Sequence, residues 1–160
     1  MKTHIKILVI LTAMFGIALA LPAQVPSYRS VLDNLARVAS DAPISLPSAF
    51  FKYPESDPQG QLQRGIVLYA ASGVARQCGN HARIPALLAE AKTRLLAAST
   101  GLSSSQSDQK SQCLYYLGLI AEKREGNLSA ATNYYNQSTG LKAGGVASSA
   151  LNRVTRMQEK

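Results

Sequence analysis

The stretch "LYYLGLIAEKREGNLSAATNYY", residues 114–135, carries the clearest pattern in this chain of 160 residues. Leu114 and Leu117 are large and apolar, and Gly118 and Ala121 are small. After Gly126-Asn127, a natural helix stop, Ala131 and Tyr135 follow one helical turn apart. Small residues let two helices cross closely, and the larger ones fill the space beside them. The stretch therefore predicts a helix, a tight turn and an antiparallel second helix.

The remaining sequence extends this reading in both directions. Ala and Leu dominate, β-branched residues are sparse, and no alternation is long enough for a strand. Six helices are expected. The first covers Ser27 to Ser40, capped by Ser27, with Val31, Leu35 and Val38 on one stripe. A Pro-rich loop over 42–60 follows, and its aromatics Phe50, Phe51 and Tyr53 are expected to pack onto the helices. The second helix runs from Gln61 to Gln77 with Leu62, Ile66, Tyr69, Ala70, Gly73 and Val74 on its periodic face. The third begins near Pro85 and reaches Ser99, with Leu87, Leu88, Ala91, Leu95 and Ala98 inward. Ser107 or Asp108 would cap the fourth, which covers Gln109 to Glu125. The fifth spans Ser129 to Thr139. The last spans Val146 to Gln158, with Val146, Ala150, Val154 and Met157 on one face.

Helices two with three and four with five form two hairpins. Gly79-Asn80 and Gly126-Asn127 lie 47 positions apart, and Tyr69 and Tyr116 match at the same offset. The pattern Leu114-x2-Leu117-Gly118-x2-Ala121, then Ala131-x3-Tyr135, resembles the tetratricopeptide repeat, most clearly over residues 112–145. Leu114 stands where that family usually has Trp, Ala121 where Tyr is common, and Ala143 where Pro often ends the unit. The step from Ala121 to Ala131 is one residue longer than the family's. The fold expected is all-α, with antiparallel hairpins stacked as a short tetratricopeptide-like array. The alternative is an irregular helical bundle.

The first twenty residues form a unit of their own. Lys2 and Lys6 precede an apolar run from Ile7 to Ile17 that only Thr12 and Gly16 interrupt, and Ala18-Leu19-Ala20 supplies small residues for cleavage. This is the pattern of a secretory signal over residues 1–20, with one helical domain over residues 21–160. The alternative is a membrane anchor retained over residues 5–21, which is short for a span of about 20 residues. The expected destination is the bacterial envelope, periplasmic or secreted.

Export bears on the cysteines. Cys78 and Cys113 are the only two, and an oxidising compartment favours a disulfide between them. Stacked hairpins oppose it. With Cys113 aligned to Ile66, Cys78 lies 12 residues further along, roughly 18 Å at about 1.5 Å per residue. A disulfide needs Cα atoms within about 7 Å.

The composition also narrows the chemistry. Without Lys2 and Lys6, the 17 Lys and Arg become 15 against 9 Asp and Glu, and the charge falls from +8 to +6. These cations are scattered and the chain lacks Trp, which argues against nucleic acid. His81 is the only histidine beyond the signal, so neither a catalytic His constellation nor a zinc site assembles readily. No phosphate loop or nucleophile elbow is present, and no cofactor is expected. Paired carboxylates are the one enzymatic option, a small cell-envelope hydrolase using such residues as Asp57, Glu90 or Glu122. The preferred expectation is a non-catalytic adaptor that binds a protein or peptide on the first helices of its hairpins, with self-association a further possibility. On the fourth helix, Gln112, Tyr115, Leu119, Glu122 and Lys123 form the stripe expected to face that partner.

Overall fold

The computed structural model describes residues 25–141 and 144–158, with 144–146 described by their backbone alone. The secretory-signal pattern over residues 1–20 lies outside the described residues, as do Lys142, Ala143 and the side chain of Val146. Six helices follow in order: α1 (Tyr28–Arg37), α2 (Pro58–Gln77), α3 (Ile84–Gly101), α4 (Ser107–Ile120), α5 (Leu128–Thr139) and α6 (Gly144–Gln158). There is no strand among the described residues, so the chain is all-α. Each helix packs on the next, and α2 also touches α4. No helix among the described residues is long and apolar enough to cross a membrane.

Local chemistry sets the ends of the helices. Ser27 caps α1 by accepting the Ser30 N–H. Asp57 caps α2, so Pro58, expected in the loop, instead occupies the first helical position, where its missing N–H costs nothing. Neither Ser107 nor Asp108 caps α4. The chain enters through a 3₁₀ turn, Ser104–Gln106, closed by a reciprocal capping box between Ser103 and Gln106.

Both hairpins turn on a glycine in the left-handed region, Gly79 at φ 79° and Gly126 at φ 65°. After Gly79 the Asn80 N–H reaches back five residues to the Ala75 carbonyl, at 2.8 Å. After Gly126 the Asn127 N–H reaches back six, to Ala121, at 2.9 Å. The extra residue is absorbed in a π-helical turn, Ala121–Glu125. This is where the sequence steps from Ala121 to Ala131 with one residue more than a regular repeat.

The core confirms the expected face of α3: Leu87, Leu88, Ala91, Leu95 and Ala98 are all buried. The expected face of α2 needs correction. Gly65, Val67, Leu68, Ala71, Ser72 and Ala75 are buried, while Ile66, Tyr69, Ala70 and Val74 are only partly covered. Because α2 packs on α1, α3 and α4, its buried arc is wider than one stripe, and periodicity alone misplaces it. At the edges of the expected stripes, Val38 lies just past the end of α1 and Met157 is half exposed on α6.

Two buried arginines tie down the N-terminal segments. Arg83, 1% exposed, donates to the carbonyls of Leu35, Ser40 and Ala42, while Asn80 donates to those of Ala36 and Val38 at 2.9 Å each. They satisfy carbonyls that the end of α1 leaves open. Arg64 lies over the Phe51 ring at 4.3 Å and donates to the carbonyls of Tyr53 and Gly60. Phe50 and Phe51 pack on the core, so this part of the Pro-rich loop is fastened to the helices.

Both cysteines are free. Cys78 is exposed at the end of α2, and Cys113 is buried in α4, where burial pushes its thiol up to about 12.

Candidate functional site: a tyrosine-floored cleft on the fourth helix

The two hairpins are held by the same kind of notch. A Cβ on Gly118 would sit 2.6 Å from Tyr135 Cδ1 and 2.9 Å from Cζ. A Cβ on Gly65 would sit 2.7 Å from Leu95 Cγ. In each case a glycine in the first helix receives a large buried side chain from the second, four residues after a fully buried alanine, Ala131 or Ala91. The packing equivalence therefore pairs Gly65 with Gly118 and Leu95 with Tyr135. This differs from the offset of 47 suggested by the Gly-Asn turns, because α2 and α3 run further beyond their notch before turning.

This packing leaves tyrosines along the first helices. Tyr69 on α2 meets Tyr116 on α4 edge-on, with centroids 5.5 Å apart. Tyr116 meets Tyr115 at 5.6 Å, and Tyr115 approaches Tyr135 at 6.0 Å. The first three are half-buried. Burial, and then the neighbouring Tyr115, holds the hydroxyls of Tyr69 and Tyr116 above the usual range, so both are protonated donors at neutral pH.

A cleft of about 470 Å³ opens beside Tyr115 and Tyr116, between the start of α4, Ser138 of α5 and Ala147 of α6. Ser111 and Ser138 close one side of it, and each of their hydroxyls donates to the other's carbonyl, at 2.9 and 2.8 Å. Asp108, Gln109 and Gln112 form its polar wall. Asp108 makes no ion pair among the described residues. The cleft thus offers aromatic surface, two primary amides and one carboxylate.

The five residues of the predicted stripe divide between three environments. Gln112 and Tyr115 line the cleft. Leu119 is 7% exposed and packs with Ala150 and Val154 of α6. The Glu122 side chain is 6% exposed and accepts from Arg153 at 2.8 and 2.6 Å and from the Tyr135 hydroxyl at 2.8 Å. Arg153 first, opposed by burial and helped by Tyr135, holds this carboxyl below its ordinary range. Lys123 is exposed on the π turn. Spacing on α4 alone cannot reveal that α6 covers Leu119 and Glu122. Tyr116, Asp108 and Gln109 were not part of that stripe, although the matched positions of Tyr69 and Tyr116 were a usable signal for the aromatic floor.

Each carboxylate named for hydrolysis makes a contact within the fold. Asp57 caps α2, Glu122 holds Arg153, and Glu90 shares Arg94 with Glu55. Among the described residues no group of three or more His, Cys, Asp or Glu side chains could hold a metal. No family model, no curated protein and no solved structure matches this chain.

Proposed function

We propose that the chain is an exported, tetratricopeptide-like binding protein that holds an extended segment of a protein partner in the tyrosine-floored cleft. The observation that carries this reading is the repeated notch, Gly65 with Leu95 and Gly118 with Tyr135. Two hairpins that close in the same way stack with their first helices side by side, and such arrays bind on the surface those helices share. Tyr115 and Tyr116 supply rigid apolar area with hydroxyl groups, and Gln109 and Gln112 supply amides suited to a peptide backbone. Export rests on the pattern of Lys2, Lys6, Ile7 to Ile17 and Ala18-Leu19-Ala20.

Panning a display library of short unstructured peptides against the purified protein, followed by anisotropy titration, tests the binding reading. Tyr116→Ala is expected to weaken selected peptides by about tenfold or more while leaving the far-UV spectrum unchanged. Equal affinity of Tyr116→Ala and the parent would remove the cleft from the account. The intact mass of the chain from its exporting host tests release: a start at Leu21 supports it, and retention of residues 1–20 contradicts it.

A further inference from the structure

The opposite end of α4 carries a second cleft that the peptide reading does not use. It has a volume of about 400 Å³ and lies between the end of α2, the start of α3 and the π turn. Ile84, Leu88 and Ile120 give it apolar surface, and Arg76, Lys92 and Arg124 line it as well. The only carboxylate lining it, Glu125, is engaged by Lys92 at 2.6 Å.

Arg124 is the unusual group. Its Nε and Nη1 are buried and have no hydrogen-bond partner among the described residues. Buried donors of a charged group are costly to leave unmade, and each such case asks what completes it. Arg64 Nε and Arg83 Nη2 are also buried without a partner, but the other nitrogens of those two side chains fasten loop and helix-end carbonyls. Arg124 makes no hydrogen bond or ion pair among the described residues, and it belongs to a π turn, an element found often at functional sites.

We propose that this cleft binds an aliphatic anion: a single carboxylate or phosphate head held by Arg124 and Arg76, with a linear alkyl chain lying along Ile84, Leu88 and Ile120. A planar guanidinium presents paired donors that match such a head, and the volume lies within the range of about 300 to 1,000 Å³ typical of small-ligand clefts. The proposal is independent of peptide binding at the other end of α4.

Calorimetric titration of the full chain at neutral pH with octanoate, octyl phosphate, octanol, acetate and inorganic phosphate tests both halves of the claim. Binding of octanoate or octyl phosphate, with no heat from octanol, acetate or inorganic phosphate, is the expected result, and whichever octyl anion binds more tightly identifies the head. Binding of octanol as tight as that of the octyl anions would overturn the role of the guanidinium groups. Binding of acetate or inorganic phosphate as tight as that of the octyl anions would overturn the role of the apolar walls. No binding by any of them would overturn the site. Arg124→Gln is expected to weaken the octyl anion by about tenfold to a hundredfold, the share of a charge-assisted contact. Ala89→Glu, at an exposed position on the rim, places a competing carboxylate without disturbing the core and is expected to abolish binding. Unchanged affinity in both folded variants would contradict the assignment.

Discussion

The hairpins α2–α3 and α4–α5 close around the same notch with different partners. In the first, Gly65 receives Leu95, a side chain that can shift among rotamers in an apolar setting. In the second, Gly118 receives Tyr135, whose hydroxyl is tied to Glu122, which is itself held by Arg153 of α6. The first hairpin is covered on several sides, by α1, α4 and the Pro-rich loop. The second hairpin is covered on its outer side by α6, through Leu119 with Ala150 and Val154 and through the polar link from Tyr135 by Glu122 to Arg153. The same packing solution is thus adaptable where the surroundings are apolar and rigid where they are hydrogen-bonded.

The sharpest way to test this contrast is to empty each notch. Tyr135→Ala removes a fully buried ring and leaves Glu122 without one donor, with an expected cost of about 4 kcal/mol. Leu95→Ala is expected to cost about 3 kcal/mol, because it removes fewer atoms and breaks no polar link. Urea unfolding midpoints measure both. A larger loss at Leu95 would reverse the ranking of the two hairpins.

Filling the notches gives a smaller effect of the same kind. Gly118→Ala drives a methyl into a ring that cannot retreat, and about 2 kcal/mol of destabilisation is expected. At Gly65 the methyl meets Cγ of the fully buried Leu95 at 2.7 Å, but no hydrogen bond holds that side chain and the helix preference of Ala over Gly offsets part of the strain, so a net cost of about 1 kcal/mol is expected. Equal costs at the two sites would show that the hydrogen bond from Tyr135 does not stiffen its ring.

The least disruptive test is acid. The carboxyl of Glu122 is lowered in the folded state from an ordinary value of 4.5. Its contribution is therefore fully present above pH 4.5 and is lost as the pH falls through the lowered folded value. Amide protection in α6 is expected to fall in that window before protection in α2 and α3. Glu122→Gln should remove the pH dependence. Simultaneous loss in all helices, unchanged by that substitution, would contradict a local link.

Much of this contrast was legible in the sequence, and the illegible parts share a cause. Leu114, Gly118, Ala131 and Tyr135 were readable because close helix crossing demands small residues opposite large ones within one short segment. The face of α3 was readable because that helix buries a single stripe. The role of Gly65 was hidden because Ala91 lies 26 positions beyond it, against 13 between Gly118 and Ala131, so no local pattern joins them. Glu122 read as part of the partner-facing stripe with Lys123, since the residue that holds it, Arg153, is 31 positions away. Of the cleft, Gln112 and Tyr115 followed from helical spacing, whereas Asp108 and Tyr116 enter it only once α5 and α6 are in place.

Whether Gly118 and Tyr135 form a notch decides the equivalence of the two hairpins most directly, and a double-mutant cycle measures that. Gly118→Ala is made in the parent and in Tyr135→Leu, which installs the side-chain type found opposite Gly65, and stabilities are taken from urea unfolding. A notch predicts that Tyr135→Leu relieves the strain, with a coupling of about 1 kcal/mol or more between the two substitutions. Costs that add to within about 0.5 kcal/mol would mean that the two residues do not meet, and the equivalence of the two hairpins would fail with them.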